Sequence, residues 1–126
     1  MADPVILSDT KGAVAGLTFN RPAALNAIDA ATLKAFEAAF IAAEVDPAVR
    51  VIVITGAGDK AFVAGGDIGD LESRQGLAHY LEFGEELHRV FSRVEACDKP
   101  TITAVNGFAL GGGTELLLCT DMRLVA

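Results

Sequence analysis

The stretch NGFALGGGTELLL, residues 106–118, decides how the rest of the chain is read. Its three consecutive glycines, Gly111, Gly112 and Gly113, suit neither a strand nor a helix interior, because glycine loses more freedom on ordering than any other residue. Yet a β-branched apolar run, TITAV at residues 101–105, precedes them, and an apolar helix-like run at residues 115–119 follows. A strand therefore leads through bare backbone into a helix N-terminus. The free N–H groups and partial positive charge of such an end favour a concentrated negative charge, either a phosphate or an oxyanion forming during reaction. Glycine also removes the Cβ atoms that would hold a ligand off the backbone. Glu115 falls within the first helical turn. An isolated glutamate there is ordinarily a solvated charge that suits a helix N-terminus. Here Leu110, Leu116, Leu117 and Leu118 make the helix apolar nearly all round, which predicts burial. A buried carboxylate needs partners or a task.

Upstream, residues 5–7 and 13–19 read as a hairpin with its turn at Thr10-Lys11-Gly12. The loop NRPAALNAID follows, because Pro22 disfavours helix at Arg21. Asp29 fits a helix N-cap, and Leu33, Phe36, Ala39/Phe40 and Ala43 recur at helical spacing up to Asp46-Pro47. The run VRVIVIT, residues 49–55, is the pattern of a strand covered on both faces, as in a parallel sheet. The segment GAGDKAFVAGGD reads as a glycine-rich loop. Helix is expected near residues 68–71 and 77–97, then the strand TITAV, a helix over residues 113–120, and a further strand in MRLVA. This order predicts one α/β domain with right-handed crossovers.

Composition narrows the function. The 126 residues are enough for one domain with a core, and 52% hydrophobic content is ordinary for a globular protein. A net charge of −7 argues against broad contact with nucleic-acid phosphates, which needs clustered Lys and Arg. No apolar run approaches the ~20 residues of a membrane span, and no secretory signal is visible, so the cytoplasm is expected. Cys97 and Cys119 lie far apart and read as reduced, packed thiols. His79 and His88 lack the i, i+4 spacing of a helical metal site, and no metal constellation is expected.

Two nucleotide motifs fail on context. Gly56, Gly58 and Ala61 follow a strand as G-x-G-x-x-A, but Gly65-Gly66-Asp67 interrupts the helix that a dinucleotide site requires. Residues 107–114 match a phosphate-loop frame, except that glycine stands where the charge-bearing lysine belongs.

Three segments, LTFNRPAALNAID, KAFVAGGDIGDL and NGFALGGGTELLLCTDMRLVA, together resemble the enoyl-CoA hydratase/isomerase family, the crotonase superfamily, in order and spacing over essentially the whole chain. The resemblance implies a crotonase-like spiral of ββα units that binds an acyl-CoA thioester, with coenzyme A as part of the substrate and no separate cofactor or metal. It implies that two backbone N–H groups, by motif position Gly66 and Gly112, form an oxyanion hole for the thioester carbonyl. It implies that Glu115 is the general acid/base of water addition across the α,β-double bond. Ala64, Gly65, Asp67 and Ile68 resemble the lining of the pantetheine and acyl path, although Asp67 fits equally well as a helix cap. Ala23, Ala24 and Leu25 lie in the loop that, in the family, approaches the CoA nucleotide, and Arg21 and Asn26 fit loop-shaping roles.

Family hydratases use a second glutamate from beyond the point where this chain stops. Complete members are about twice this length, with a C-terminal helical region that supports trimers or dimers of trimers. The expectation is therefore the N-terminal part of a longer enzyme, most simply a 2-enoyl-CoA hydratase, that exposes apolar surface when taken alone. Isomerase, thioester hydrolase and decarboxylase chemistry on the same oxyanion hole are the alternatives within the family. A non-catalytic acyl-CoA-binding module is the alternative outside enzymology.

Overall fold

The run from Val14 to Phe19 alternates exposed or half-buried side chains with Ala15, Leu17 and Phe19, which are buried, and that alternation makes it the strand on which the core is built. In the computed structural model, which describes residues 3–66 and 77–125, this strand is β2. It pairs antiparallel with β1 (Ile6–Lys11), and Lys11 faces Val14 across a two-residue turn. The hairpin turn is thus at Gly12, with φ +61°, and Ala13, not at Thr10-Lys11-Gly12. The sequence hides the end of β1 because its residues from Leu7 to Lys11 are all exposed. An exposed edge strand has no apolar alternation to read, and its charges discourage further pairing.

After β2 the chain forms α1 (Ala30–Val45), β3 (Val51–Gly56), β4 (Ala61–Val63), α2 (Leu77–Glu95), β5 (Thr101–Val105), β6 (Phe108–Ala109), α3 (Gly112–Cys119) and β7 (Met122–Val125). Among the described residues the order is ββα three times over, closed by a strand. The main sheet runs β1-β2-β3-β5-β7, parallel from β2 onward. Its register aligns Leu17 with Ile54 and Ile54 with Thr103, so one row of buried side chains crosses three strands.

The second strands of the later units, β4 and β6, leave this sheet and pair with each other in parallel. AFV lies in the segment that reads as a glycine-rich loop, and FA in a stretch to which the sequence assigns no element. Three and two residues are too few for a period, and AFV and FA sit among glycines.

The apolar faces of α1 and α2 join the core. In α1 the buried residues are Thr32, Leu33, Phe36, Phe40 and Ala43, and the Asp29 carboxylate caps the helix by accepting from the Thr32 N–H at 2.7 Å. In α2 they are Phe83, Val90, Phe91 and Val94, whereas Leu81 and Glu85 face outward. Phe36 stacks on Phe19 at 5.0 Å, and Phe62 of β4 meets Phe19 edge-on at 6.4 Å. This aromatic group ties the short strand β4 to the main core.

Two expectations are corrected. β3 is buried on one face only: Ile52 and Ile54 are inaccessible while Val51, Val53 and Thr55 are half-buried. Valine, isoleucine and threonine on both faces mask an alternation that burial reveals. The short helix α3 is likewise buried on one side, through Gly113 and Leu116, and exposes Glu115 and Leu118. Apolar surface is exposed as expected: Phe108, Leu110, Leu118, Met122, Leu124 and Val125 are each more than half accessible. The expected helix at residues 68–71 lies outside the described residues. Among the described residues, no helix is long and apolar enough to cross a membrane.

Candidate functional site

Two glycine turns, one after β4 and one after β6, meet because their strands are paired. Ala61 faces Phe108 and Val63 faces Ala109. The Phe108 N–H donates to the Lys60 carbonyl at 3.0 Å, and the Leu110 N–H to the Val63 carbonyl at 3.2 Å. Past these bonds the chains run on as Ala64-Gly65-Gly66 and Gly111-Gly112-Gly113. Gly65 has φ +107° and Gly111 φ +50°, left-handed conformations that side chains resist. A Cβ on Gly65 would stand 3.2 Å from the Leu110 carbonyl oxygen and 3.8 Å from the Gly112 nitrogen, and one on Gly112 would stand 3.8 Å from the Gly65 Cα. The two turns are therefore in backbone contact.

Gly112 opens α3, so its N–H has no acceptor within the helix. Gly66 is exposed at the end of the other turn. Glu115 lies three residues beyond Gly112, on the same helix face and exposed to solvent. Its expected burial is corrected. α3 rests on β4 by its Gly113–Leu116 side, and Glu115 is on the exposed side with Leu118.

The first turn is held from below by the loop after β2. The Ala64 N–H donates to the Leu25 carbonyl at 3.1 Å, and the Ile28 N–H to the Gly65 carbonyl at 2.8 Å. Ala24 and Leu25 thus adjoin Ala64, Gly65 and Gly66, with Ala24 half-buried and Leu25 exposed. The loop itself is shaped by Arg21, which donates to the Ala27 carbonyl at 2.6 Å and pairs with Asp29 at 3.6 Å. Asn26, 1% exposed at φ +56°, accepts from the Arg21 N–H at 2.8 Å. Asp67 and Ile68 lie outside the described residues.

Three contributors escaped sequence reading. Asn106 donates to the Gly58 and Ala61 carbonyls at 2.9 and 3.1 Å and accepts from the Gly56 N–H at 3.1 Å, which joins β3, β4 and β6. Leu87 of α2 brings a methyl within 3.9 Å of the Cβ position of Gly112. Thr114 ties the first turn of α3 back to β6 by donating to the Ala109 carbonyl at 2.9 Å. Asn106 gave only a loop signal, and Thr114 and Leu87 only a helical one.

Cys97 and Cys119 are free, and burial raises both thiols above the usual cysteine range. No group of three or more potential metal ligands is assembled among the described residues. A cleft of about 430 Å³ between α1 and α2, with Leu33, Glu37, Phe83 and Arg89 in its walls, takes no lining from the glycine turns.

Known proteins resemble the chain in sequence and in fold. The family model for enoyl-CoA hydratase/isomerase matches residues 9–126. A crotonyl-CoA hydratase from Syntrophomonas wolfei is 45% identical over 126 residues, 100% of this chain and 48% of that protein. A short-chain-enoyl-CoA hydratase from Clostridium acetobutylicum is 41% identical over 96% of this chain and 46% of its own length. The crystal structure of enoyl-CoA hydratase from Bacillus anthracis superimposes with a TM-score of 0.92 at 31% identity, covering 97% of this chain and 47% of that one. The chain spans about half the length of the curated relatives it matches.

Proposed function

The chain belongs to the enoyl-CoA hydratase/isomerase family, and from that premise we propose that its protein hydrates a short-chain 2-enoyl-CoA to the 3-hydroxyacyl-CoA. The observation that carries this reading is the contact of the two glycine turns, with Gly65 against Gly112 and no side chain between them. Two N–H groups on facing turns, Gly66 and Gly112, suit a single oxygen whose charge grows during reaction. Such preorganised donors are worth most where that charge develops.

In the proposed reaction the thioester oxygen accepts from both N–H groups. Glu115 takes a proton from water as the water oxygen bonds to C3. The π electrons of C2=C3 move into the thioester as an enolate, which the two donors stabilise. A proton then reaches C2, supplied by the second carboxylate that the family resemblance calls for. Ala24, Leu25, Ala64 and Gly65, with Asp67 and Ile68, are the proposed contacts of the CoA arm. Assembly as a homotrimer or dimer of trimers belongs to the same proposal.

Crotonyl-CoA is the substrate to try first, because the relatives that resemble the chain well are named for crotonyl and short-chain enoyl thioesters. The test incubates the intact protein with crotonyl-CoA and follows the conjugated enoyl absorbance, with mass spectrometry of the product. Loss of absorbance with gain of one water supports hydration. Tight binding of the ester with no turnover would favour an acyl-CoA-binding module instead.

A further inference from the structure

Of the three consecutive glycines, the last has the least room. A Cβ on Gly113 would stand 1.9 Å from the Val63 carbonyl oxygen, 2.9 Å from its carbon and 3.1 Å from the Val63 Cβ. A Cβ on Gly112 would meet nothing nearer than 3.8 Å, and one on Gly111 nothing nearer than 4.0 Å. Gly113 is buried and Val63 is wholly inaccessible. The first turn of α3 therefore sits backbone to backbone on the last residue of β4.

That seat is part of a closed set of bonds. The Val63 carbonyl accepts from the Leu110 N–H at 3.2 Å, and the Leu110 carbonyl accepts from the Gly113 N–H at 2.9 Å. Val63 precedes Gly66 by three residues, and Gly113 adjoins Gly112. Whatever fixes Gly113 on Val63 also fixes the separation of the two turns that bear the proposed donors.

We propose that Gly113 is a positioning residue: its missing side chain lets α3 seat on Val63, and this seat sets the spacing of the Gly66 and Gly112 N–H groups. The proposal rests on the reading of those two N–H groups as the oxyanion hole. Any Cβ at residue 113 must lift α3 from β4 by roughly 1 Å, a misplacement that costs on the order of 100-fold in rate when it separates groups that act together.

The test compares Gly113→Ala and Thr114→Val with the wild type in the intact protein. The readouts are kcat, KM, thermal unfolding and the absorbance of bound cinnamoyl-CoA, a conjugated thioester that shifts to the red when its carbonyl is polarised. Gly113→Ala should lose about 100-fold in kcat with KM within a few-fold, and most of the red shift. Thr114→Val, which removes the tie from the first turn of α3 to the Ala109 carbonyl without a clash, should lose about tenfold in kcat and part of the shift. If Gly113→Ala does not fold, Thr114→Val decides alone. A folded variant with a lower melting temperature but wild-type kcat and full red shift overturns the positioning role. A wild type that binds cinnamoyl-CoA without any red shift overturns the donor reading and this proposal with it.

Discussion

Asn26 and Asn106 donate to the same acceptor, the Ala61 carbonyl, at 3.0 and 3.1 Å. One asparagine comes from the loop after β2 and the other from the link between β5 and β6. Their shared target is the first residue of β4, the strand that leads into Gly65 and Gly66. Asn26 also donates to the Ala57 carbonyl at 3.1 Å, and Asn106 to the Gly58 carbonyl at 2.9 Å. A three-residue strand has little stability of its own, so these side chains replace the ladder it lacks.

Replacing Asn26 by alanine removes the acceptor of the Arg21 N–H and the side-chain donor to the Ala57 and Ala61 carbonyls. The expected cost is about 1–3 kcal/mol, read as a lower urea midpoint with unchanged slope. Because Asn106 shares the Ala61 acceptor, the double alanine variant should depart from additivity. Hydrogen exchange at residues 64–66 should quicken in both single variants.

Phe36 is inaccessible and stacks on Phe19, which in turn meets Phe62. Phe36→Ala should therefore destabilise by about 3–5 kcal/mol, which a small domain barely tolerates. The melting temperature measures this directly. A loss below about 1 kcal/mol would mean that α1 does not pack on the sheet as described.

The charge network between α1 and α2 gives a pH signature. Arg89 hydrogen-bonds both Glu37 and Glu86, the latter at 2.6 Å, and Arg93 bonds Glu44 at 3.1 Å. The Arg89 hydrogen bond holds the Glu37 carboxyl below the usual glutamate range against the opposing effect of burial, and the positive charges of Arg89 and Arg93 assist. A depressed carboxyl pKa stabilises the fold above the unfolded value, about 4.3, and that contribution fades as pH falls through the folded value. Glu37→Gln should thus melt below wild type at pH 7, and the gap should close in acid. The gap should be small, because Arg89 is about half exposed, and should shrink further in high salt.

Glu115 shares a helix face with Gly112 and stands open to solvent. Glu115→Gln keeps size and hydrogen bonding but cannot take a proton. Turnover of crotonyl-CoA should fall by roughly 10²–10⁴-fold, while binding of a CoA ester changes only a few-fold. Steady-state kinetics and calorimetry separate the two. Unchanged kcat would remove Glu115 from the proposed chemistry.

What the sequence made legible follows from how local each signal is. The helix α1 was readable to its cap, since Asp29 and the spacing of Leu33, Phe36, Phe40 and Ala43 are properties of one segment. The glycines of both turns were readable as bare backbone, and the resemblance paired them. The strands β4 and β6 were not readable, because two- and three-residue strands show no period and exist only through each other. The exposure of Glu115 was misread for a related reason: Leu116, Leu117 and Leu118 record that the helix is apolar, but which side is covered depends on β4 lying beneath Gly113. Asn26 and Asn106 gave only a loop signal, because their common acceptor is set by tertiary proximity. Asp67 and Ile68 lie outside the described residues, so their expected contacts rest on the resemblance.

The central claim is that the Gly66 and Gly112 N–H groups polarise one thioester carbonyl, and Gly112→Pro tests it. Residue 112 is the first of α3, the helix position that proline favours, and proline replaces the N–H by a ring carbon, so the affinity for butyryl-CoA is measured beside the shift to separate a lost donor from a blocked site. The measurement is the carbonyl carbon-13 resonance of labelled butyryl-CoA, which cannot be hydrated, bound to wild type and to the variant. The account predicts a downfield shift on wild type that largely disappears in Gly112→Pro, with a fall in crotonyl-CoA turnover of roughly 10²–10³-fold. An unshifted carbonyl on wild type, or an equal shift in both proteins, would contradict it.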